Sequence, residues 1–379
     1  MPAHFHVRPS WPNVASRSAT EPMGSERATN DNSLPSRILA GEGRIPASLR
    51  PLVLQGKRVD GQVLAPQVSI ILLNWNQMEV TAACLDTLSN VEGPSFEVLV
   101  VDQASANNEG IKLARRYPWI RLLQVSKNIG FTGGNNLGIR HARGSYVLLL
   151  NNDTEVPSDF LTPLVAAFEA DAKLGIASPK IRYYSDPDRI QYAGCNAMDA
   201  WTMRGHMFGY GEIDKGQHDV VRNVALAHGA AMMIRRAVLE EIGMLAEDFF
   251  IYYEEFDFCT RASRAGWLIR YIPFSLVMHK ESVTVGKASP FKTEYMTRNR
   301  ITYLRRNGRG LSKYFAMIYV LGLALPIHLV RHLTAKRWKH AAALLRGLRW
   351  HLTPRNVQGN VYPSSRISSD SKRSIEVAA

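Results

Sequence analysis

Short apolar runs, each followed by a polar residue, alternate with helix-like segments from residue 68 onward. The four runs are Val68 to Leu73, Phe96 to Val101, Ile120 to Val125 and Tyr146 to Leu150. Runs of this length that are rich in β-branched and other apolar side chains are typical of strands buried on both faces of a sheet. Strands that alternate with helices at this spacing predict a parallel α/β sheet.

Polar residues follow three of these runs at the point where each strand is expected to end. Asn74, Asp102 and Asp153 come directly after a predicted strand or within three residues of its end. An Asp in such a position often only caps the next turn, so each residue taken alone has a structural explanation. Open parallel sheets bind ligands beyond the carboxyl ends of their strands, and three such residues on one edge therefore predict a nucleotide-sized crevice.

The two aspartates suit different parts of a nucleotide. Asp102 can accept a hydrogen bond from the imide N–H of a uracil or thymine ring. Asp153 can bind Mg²⁺ or Mn²⁺ that bridges two phosphate oxygens, because hard cations prefer oxygen ligands. The alternative is that Asp153 only starts the turn before Pro157.

A glycine-rich segment lies between the third and fourth strands, from Asn128 to Gly138. It matches neither GxGxxG nor GxxxxGK[ST], so it does not indicate a dinucleotide or ATP site. We expect a loop through Asn136 followed by a helix to about Ala142. Glycines in such a loop let the backbone approach a ligand, and they are equally common in simple turns.

Three acids are embedded in the aromatic segment 249–261, namely Glu254, Glu255 and Asp257. Acids in the first turn of a helix stabilise the helix dipole, which is the structural explanation. Burial among aromatic rings would instead raise the proton affinity of a carboxylate towards that of a general base. His279 follows a strand-like run, and a single histidine is more often structural than a ligand.

Positive charge is concentrated near the C-terminus. The chain has 379 residues and a formal net charge of +13, and the segment from Lys292 to Arg355 holds 14 Lys and Arg and one acid, Glu294. An apolar run at 315–330, slightly short of the roughly 17–25 residues that span a bilayer, precedes apolar and basic residues at helical spacing. This pattern is typical of a basic amphipathic helix in a membrane interface at 311–350, and the alternative is a helical cap packed on the core.

Composition excludes several classes of protein. With 46% hydrophobic and 21% charged residues, the chain is neither wholly disordered, collagen-like nor a polytopic membrane protein. Its three cysteines, Cys84, Cys195 and Cys259, have no paired spacing, and no apolar run of signal-peptide length occurs near the N-terminus. We therefore expect a cytoplasmic protein with reduced core thiols.

Four regions are expected from these patterns. Residues 1–65 are predicted to be disordered or loosely docked, and residues 353–379 form a disordered tail. Residues 66–290 form the α/β domain, and residues 291–352 form the basic amphipathic helical region.

Six segments together carry a family resemblance. They are VSIILLNWN (68–76), VLVVDQAS (98–105), NIGFTGGNNLGIRHARGSYVLLLNNDT (128–154), HGAAMMIRRAVLEEIG (228–243), DFFIYYEEFDFCTRASRAGW (248–267) and VMH (277–279). In this order and spacing they resemble a family 2 glycosyltransferase, in particular its bacterial rhamnosyltransferase-like branch. The resemblance implies a GT-A fold, which is a Rossmann-like, mostly parallel sheet flanked by helices.

The resemblance also implies a role for each candidate residue. Glu255 would be the catalytic base, with Glu254 and Asp257 beside it. Asp153 and His279 would bind the metal. The candidate residues for binding a nucleotide-sugar donor are Asn74, Asn76, Asp102, Asn128, Gly130, Gly133, Gly134, Asn135 and Asn151. The chain departs from the family pattern at Asn151, where the DxD motif has an acid, and at Glu255, where Asp is commoner.

The implied activity is inverting, metal-dependent transfer of a hexose, such as rhamnose, in cell-surface or cell-wall polysaccharide biosynthesis. The donor would be a nucleoside-diphosphate sugar, the cofactor Mg²⁺ or Mn²⁺, and the acceptor a saccharide or a lipid-linked saccharide. The protein would lie at the inner face of the cell membrane as a peripheral protein and bind no nucleic acid. The alternatives are a sugar-nucleotide nucleotidyltransferase and, on net charge alone, a nucleic-acid-binding protein.

Overall fold

A computed structural model of the chain describes residues 58–59, 62–63, 65–280 and 289–352. Within the predicted extension 1–65 it shows a small antiparallel ladder of β1 (Arg58–Val59) and β2 (Gln62–Val63). The rest of that extension, apart from residue 65, and the predicted tail 353–379 lie outside the described residues.

Ten strands form the main sheet of the described part. They are β3 (Val68–Asn74), β4 (Phe96–Gln103), β5 (Arg121–Val125), β6 (Tyr146–Leu150), β7 (Thr154–Glu155), β8 (Leu174–Tyr183), β9 (Asp186–Tyr192), β10 (Arg222–Asn223), β11 (Ala231–Arg235) and β12 (Leu268–His279). The four strands predicted first correspond to β3, β4, β5 and β6, so that part of the prediction is confirmed.

The helices cover the sheet and then continue beyond it. They are α1 (Met78–Leu88), α2 (Glu109–Arg116), α3 (Gly130–His141), α4 (Leu161–Ala170), α5 (Arg236–Ile242), α6 (Glu254–Arg264), α7 (Pro290–Asn307), α8 (Gly310–Tyr319), α9 (Leu325–Thr334) and α10 (Trp338–Arg349). The last four make up the predicted C-terminal helical region.

The sheet is parallel at one end and mixed at the other. Its order is β10-β12-β8-β11-β6-β3-β4-β5. Strands β6, β3, β4 and β5 run parallel, whereas β11 is antiparallel to both β6 and β8. The parallel half places the carboxyl ends of β3, β4 and β6 at one edge, where the polar residues predicted from the sequence lie.

At the amino ends of the parallel strands, a buried carboxylate joins neighbouring segments by hydrogen bonds. Glu97 accepts hydrogen bonds from Ser69 at 2.8 Å, from Arg121 at 2.7 Å and from Arg143 at 2.8 Å. Burial raises the pKa of Glu97, but the hydrogen bonds from Arg143, Arg121 and Ser69 outweigh burial and lower it overall. Glu97 therefore stays ionised and ties β3 to β4 at their first residues.

The glycine-rich segment is helical where a loop was expected. Helix α3 begins at Gly130, so the expected loop through Asn136 is wrong and the pair Gly133-Gly134 lies inside the helix. A Cβ at Gly134 would lie 2.9 Å from Leu73, and one at Gly138 would lie 2.5 Å from Ile71. The missing side chains let α3 pack closely on β3, which outweighs the low helix propensity of glycine.

The segment between β9 and β10, residues 193–221, extends from the sheet and is anchored by ion pairs. Asp214 accepts hydrogen bonds from Lys180 and from Arg182 at 2.8 Å each. Asp199 starts a tight turn, because its carboxylate accepts the backbone N–H of Thr202 at 2.7 Å. This turn lies close to the C-terminal helices.

Helices α8 and α9 form one continuous helix, joined by a π-helical turn at Val320–Ala324. Its buried side chains include Ala316, Val320 and Leu325, which pack in one cluster with residues of α7 and α10. The other faces expose large apolar side chains to solvent. They are Leu311, Tyr314, Phe315, Ile318, Leu321, Leu323, Ile327, Val330 and Leu333.

This continuous helix is longer than the apolar run seen in the sequence. In the described part of the chain, Gly310–Thr334 is the one helix long and apolar enough to cross a membrane, with 25 residues. One such helix is weak grounds for a membrane span, and its exposed apolar surface is the observation that bears on membrane contact.

Candidate active site

Asn74 and Asp102 lie side by side at the carboxyl ends of β3 and β4. They are register partners in the parallel ladder, and both are buried. The Asn74 amide nitrogen donates to Asp102 at 2.9 Å, to Ser105 at 3.0 Å and to Glu109 at 3.1 Å. This amide fixes the Asp102 carboxylate at the edge of the sheet.

A chain of hydrogen bonds connects this pair to the segment after β6. The Thr81 hydroxyl donates to the side-chain oxygen Oδ1 of Asn74 at 2.7 Å, and the side-chain amide of Asn152 donates to the Thr81 hydroxyl at 2.8 Å. Asn152 lies between Asn151 and Asp153. The predicted base-reading acid and the predicted metal motif are therefore joined by three polar side chains.

The remaining candidates for donor binding lie around the start of α3 and the loop after β3. Asn76 accepts the backbone N–H of Ala106 at 2.8 Å, and Asn128 accepts that of Gly130 at 2.8 Å. Asn135 is buried and donates to the carbonyl oxygen of Phe131. These side chains shape the loops at the edge of the sheet.

The glycines of α3 have a packing role. Gly130 has a φ of +81°, and a Cβ there would lie 2.7 Å from the carbonyl oxygen of Phe250. A Cβ at Gly133 would lie 3.1 Å from Ile129, so this position is also filled from within the protein. Contact of Gly130, Gly133 and Gly134 with a donor stays a prediction.

Asp153 and His279 lie in contact across two antiparallel strands. His279 is the last residue of β12 and is the register partner of Thr154 in β7. Its Nε2 lies 3.1 Å from a carboxylate oxygen of Asp153 and 3.4 Å from the amide of Asn151. Both side chains are buried. The predicted pairing of Asp153 with His279 in space is therefore present.

Gln191 determines which ring nitrogen of His279 carries a hydrogen. The Nδ1 atom of His279 lies 2.8 Å from the Gln191 carbonyl oxygen, which only accepts, so Nδ1 carries a hydrogen. The Nε2 atom then faces the Asp153 carboxylate, and at 3.1 Å these two atoms share either a proton or a bound cation.

This donor set fits a divalent cation that is bound largely through substrate oxygens. One carboxylate and one imidazole together suit Mn²⁺, whereas Mg²⁺ would use the carboxylate oxygen, and Gln191 would orient the imidazole from behind. No group of three or more His, Cys, Asp and Glu side chains able to hold a metal occurs among the residues that the structure describes. The protein thus offers two ligands, and a diphosphate and water would complete the shell.

His228 is a second histidine at this edge, located just before β11. Its ring centre lies 6.1 Å from that of His279, and its Nδ1 accepts the backbone N–H of Ala230 at 3.1 Å. Burial, together with the charge of the neighbouring His279, lowers the pKa of His228 to about 3, although the Asp153 carboxylate acts in the opposite direction. His228 is therefore neutral at physiological pH and adds no charge to the site.

Glu254 and Glu255 begin α6; Glu254 is buried, Glu255 is half-buried, and their carboxyl groups hydrogen-bond each other. One oxygen of each is buried without another partner among the described residues. Burial is the main cause that raises the pKa of Glu254 well above its ordinary value, and the charge of Glu255 raises it further. Burial also raises the pKa of Glu255. The pair holds one proton more readily than two separate glutamates would.

Asp257 has its carboxylate occupied by other side chains. One oxygen accepts from Arg261 at 2.8 Å, and the other accepts from Asn307 at 2.8 Å and from Arg306 at 3.2 Å. These contacts join α6 to the end of α7. Asp257 therefore differs from the neighbouring glutamates, which lack cationic partners among the described residues.

The loop that precedes the glutamates, residues 248–253, has a strained backbone, and we call it the glutamate loop. Phe250, Tyr252 and Tyr253 have φ values of 62°, 67° and 73°, in the left-handed region that residues other than glycine rarely adopt. Asn299 of α7 holds this loop, because its amide nitrogen lies 2.7–2.9 Å from the carbonyl oxygens of residues 249, 251 and 252. Arg298 also donates to the carbonyl oxygens of residues 248 and 249 at 2.8 Å.

The glutamate loop also contacts the start of α3. The backbone N–H of Thr132 donates to the carbonyl oxygen of Phe250 at 3.2 Å, and that of Ile129 donates to Gln103, the neighbour of Asp102, at 3.1 Å. Helix α6 contacts the segment before His228 through Cys259. Continuous contacts therefore connect the surroundings of Asp102, Asp153, His279 and the glutamate pair.

Four residues of the site were not found from the sequence: Thr81, Gln191, His228 and Asn299. His228 lay inside a segment that carried the family resemblance, without a role of its own. The others are single polar residues in helices or strands, and no local pattern distinguishes them. Only the contacts between distant segments identify them.

Comparisons with known proteins bear on the family of the chain. The profile of glycosyl transferase family 2 matches residues 69–243. The chain is similar to a low-salt glycan biosynthesis hexosyltransferase of Haloferax volcanii, at 30% identity over 54% of this chain and 64% of the relative. It therefore spans less than two thirds of that relative's length.

Two further similarities were found. An N-acetylglucosaminyl-diphospho-decaprenol L-rhamnosyltransferase of Mycobacterium tuberculosis is 24% identical over 54% of this chain and 72% of the relative. Among solved structures, a mannosyltransferase from Pyrobaculum calidifontis in complex with GDP-Man and Mn²⁺ covers 76% of this chain and 88% of its own, with a TM-score of 0.49 and 16% identity.

These findings identify residues 69–243 as a family 2 glycosyltransferase domain. The curated relatives include rhamnosyltransferases and hexosyltransferases, so the rhamnosyltransferase-like resemblance is confirmed. The α/β sheet with flanking helices and a C-terminal helical region is the predicted GT-A fold.

Replacement of Asn299 should loosen the glutamate loop. We expect Asn299→Ala to lower the free energy of unfolding by about 2–3 kcal/mol, because the carbonyl groups of residues 251 and 252 lose their donor and that of residue 249 loses one of its donors. Urea denaturation followed by fluorescence measures this change. The matched control is Thr302→Val on the same helix, since that hydroxyl bonds only to the carbonyl oxygen of Arg298. Equal losses for the two variants would contradict the role assigned to Asn299.

Asp153 should be required for metal binding in the presence of nucleotide. We expect Asp153→Asn to weaken Mn²⁺ binding by about tenfold or more with UDP or dTDP present, because the site loses its charged ligand. Electron paramagnetic resonance of free Mn²⁺ measures the affinity. Asp159→Asn, which changes an exposed aspartate after the same strand, is the control. An unchanged Mn²⁺ affinity in Asp153→Asn would exclude it as a ligand.

Proposed function

We propose that the protein transfers a sugar from a nucleoside-diphosphate sugar to a saccharide or lipid-linked saccharide, with inversion at the anomeric carbon. The observation that carries the proposal is the hydrogen-bonded Glu254-Glu255 pair, which contact networks connect to the Asp102 and Asp153-His279 sites. A base, a nucleotide edge and a diphosphate site are the three parts that such a reaction needs.

Glu255 is the base in this proposal. Burial raises its pKa and hydrogen bonds to backbone and to Glu254 lower it again, so it is the more acidic member of the pair. Glu254 keeps the shared proton and orients the Glu255 carboxylate through that hydrogen bond. As the acceptor hydroxyl oxygen bonds to the anomeric carbon, Glu255 takes its proton and the bond to the diphosphate breaks, all in a single displacement.

The donor lies along the carboxyl edge of the sheet. Asp102 accepts a hydrogen bond from the imide of a uracil or thymine base, and Asn74 and Asn76 form the wall beside it. Asn151, Asp153 and His279 lie towards the diphosphate. When bound, a divalent cation neutralises the charge of the departing diphosphate. Rhamnose from a dTDP-sugar is the donor that the named rhamnosyltransferase relatives favour.

The exposed apolar surface of the helix Gly310–Thr334 binds a lipid bilayer in this proposal. We define this apolar surface by the nine exposed side chains given above, from Leu311 to Leu333. Basic residues flank it, and the only acid between residues 292 and 355 is Glu294. Charge and apolar area together fit the anionic cytoplasmic leaflet, where a lipid-linked acceptor is found. The protein then acts in polysaccharide biosynthesis at the inner face of the membrane.

Removal of the base should abolish transfer and leave donor binding intact. We expect Glu255→Gln to lower kcat by about 10²-fold or more, the usual contribution of a general base, with a donor KM close to that of the wild type. The acid limb of the wild-type kcat/KM profile should lie above the ordinary Glu pKa of about 4.3, because the half-buried Glu255 must lose its proton first. Release of nucleoside diphosphate from a panel of sugar nucleotides measures both.

Glu240→Gln, which changes an exposed glutamate of α5, is the control for Glu255→Gln. Wild-type turnover by Glu255→Gln would refute the assignment of the base. Release of pyrophosphate in place of nucleoside diphosphate would indicate a nucleotidyltransferase instead.

The apolar surface should determine membrane binding. We expect the wild-type chain to float with vesicles that contain phosphatidylglycerol, and the double variant Leu311→Asp/Ile318→Asp to bind at least about tenfold more weakly. Phe274→Asp is the control, because Phe274 is equally exposed but lies on β12. Equal flotation of the double variant and the wild type would contradict a role of this surface in membrane binding.

A further inference from the structure

Three arginines converge around His328, between the glutamate loop and the apolar surface. Arg300 lies on α7, Arg204 lies in the segment 193–221, and His328 and Arg331 lie on α9. Burial lowers the pKa of the His328 imidazole, and the charges of Arg300, Arg331 and Arg204 lower it further, so the cluster's positive charge resides on the arginines. Within the described ranges, none of these arginines forms an ion pair with an acid, whereas Arg306 and Arg346 of neighbouring turns do. We call these four residues the cationic cluster.

Arg300 has a donor group that the protein leaves unused. Its Nη2 donates to the carbonyl oxygen of Thr202 at 2.8 Å. Its Nε is buried and has no hydrogen-bond partner among the described residues. A buried guanidinium donor without an acceptor is unfavourable unless a ligand supplies one, so this atom is an independent indication of a bound anion.

On one side the cationic cluster adjoins the proposed base. Tyr253, the residue directly before the glutamate pair, is influenced by the charges of both Arg300 and Glu255. Arg300 also follows Asn299, whose amide holds the same loop. Arg300 and Glu255 are therefore both close enough to Tyr253 for their charges to act on its hydroxyl group.

On the other side the cationic cluster adjoins the apolar surface. The guanidinium of Arg204 lies 6.0 Å from the ring centre of Tyr319 on α8. The Trp201 ring, in the turn that Arg300 contacts through Thr202, lies 5.3 Å from the Phe315 ring of the apolar surface. The Trp201 and Phe315 rings are both exposed.

We propose that the cationic cluster binds the diphosphate of a polyprenyl-diphosphate-linked saccharide acceptor. This inference rests on the proposed glycosyl transfer and specifies its acceptor. Guanidinium groups bind phosphate oxygens with paired N–H donors, and Arg300 Nε supplies one such donor. The hydrocarbon chain then lies towards the apolar surface and the membrane, and the saccharide lies towards Glu255. The phosphate of an anionic lipid headgroup has the same chemistry and is the competing source.

Binding of farnesyl diphosphate to the full chain tests the proposal without any transfer reaction. We expect isothermal titration to show binding that weakens by about tenfold or more in Arg300→Gln and in Arg204→Gln. Arg204 is exposed, so its replacement leaves the fold intact even if Arg300→Gln does not fold. Lys339→Gln removes one charge from the exposed surface of α10 and should bind like the wild type.

Flotation with phosphatidylglycerol vesicles separates the two sources of phosphate. We expect Arg300→Gln and Arg204→Gln to float like Lys339→Gln, because the proposed ligand is the acceptor and not the headgroup. A specific loss of flotation in the two arginine variants would overturn the proposal in favour of a headgroup site. Absence of farnesyl diphosphate binding, or equal weakening in Lys339→Gln, would also overturn it.

Kinetics separate this inference from the proposed function. We expect the two arginine variants to raise KM for a short-chain polyprenyl-diphosphate saccharide and to leave KM for an alkyl glycoside of the same saccharide and for the donor unchanged. An equal rise with the alkyl glycoside would overturn the diphosphate site. Arginine-dependent binding of farnesyl diphosphate without sugar transfer by the wild type would support the anion site and refute the glycosyltransferase activity.

Discussion

The site depends first on one buried amide. Asn74 has no exposed surface, and its amide group makes hydrogen bonds to four side chains, one on α1 and three between the end of β4 and the start of α2. A buried carboxylate such as Asp102 is expensive unless its oxygens have donors, and Asn74 is the donor that the end of β3 supplies. The same amide accepts from Thr81, which in turn holds the segment of Asp153. Parallel register of β3 and β4 is what places Asn74 beside Asp102 in the first place.

A second constraint comes from outside the sheet. The glutamate pair begins a helix whose preceding residues adopt a backbone conformation that costs on the order of 1–3 kcal/mol per residue. That conformation persists because Asn299 and Arg298 donate to the carbonyl groups of the loop. The strain is thus compensated by α7, which lies beyond the segment matched by the family profile. Geometry at the front of α6 is therefore determined by the C-terminal region.

Much of the fold could be predicted from local pattern. The four strands from Val68 to Leu150 are short apolar runs, and the ends of parallel strands share an edge, so the position of Asn74 and Asp102 followed. The predicted start of α3 was wrong because glycine disfavours helices in isolation. In the folded chain, close contact between α3 and Ile71 requires glycine at position 138. Gln191 and Asn299 could not be predicted, because their function lies in partners 88 and about 50 residues away along the chain.

The packing of α7 also bears on where a catalytic unit ends. One part of α7 holds the glutamate loop through Asn299, and another part packs against α10, where Gly347 leaves no room for a side chain beside Glu294 and Thr297. An exchange of the C-terminal helices between relatives at the end of β12 would replace this helix too, and with it the residues that hold the glutamate loop. Recombination that preserves activity should therefore occur within the helical arm, after Asn307, rather than at the edge of the sheet.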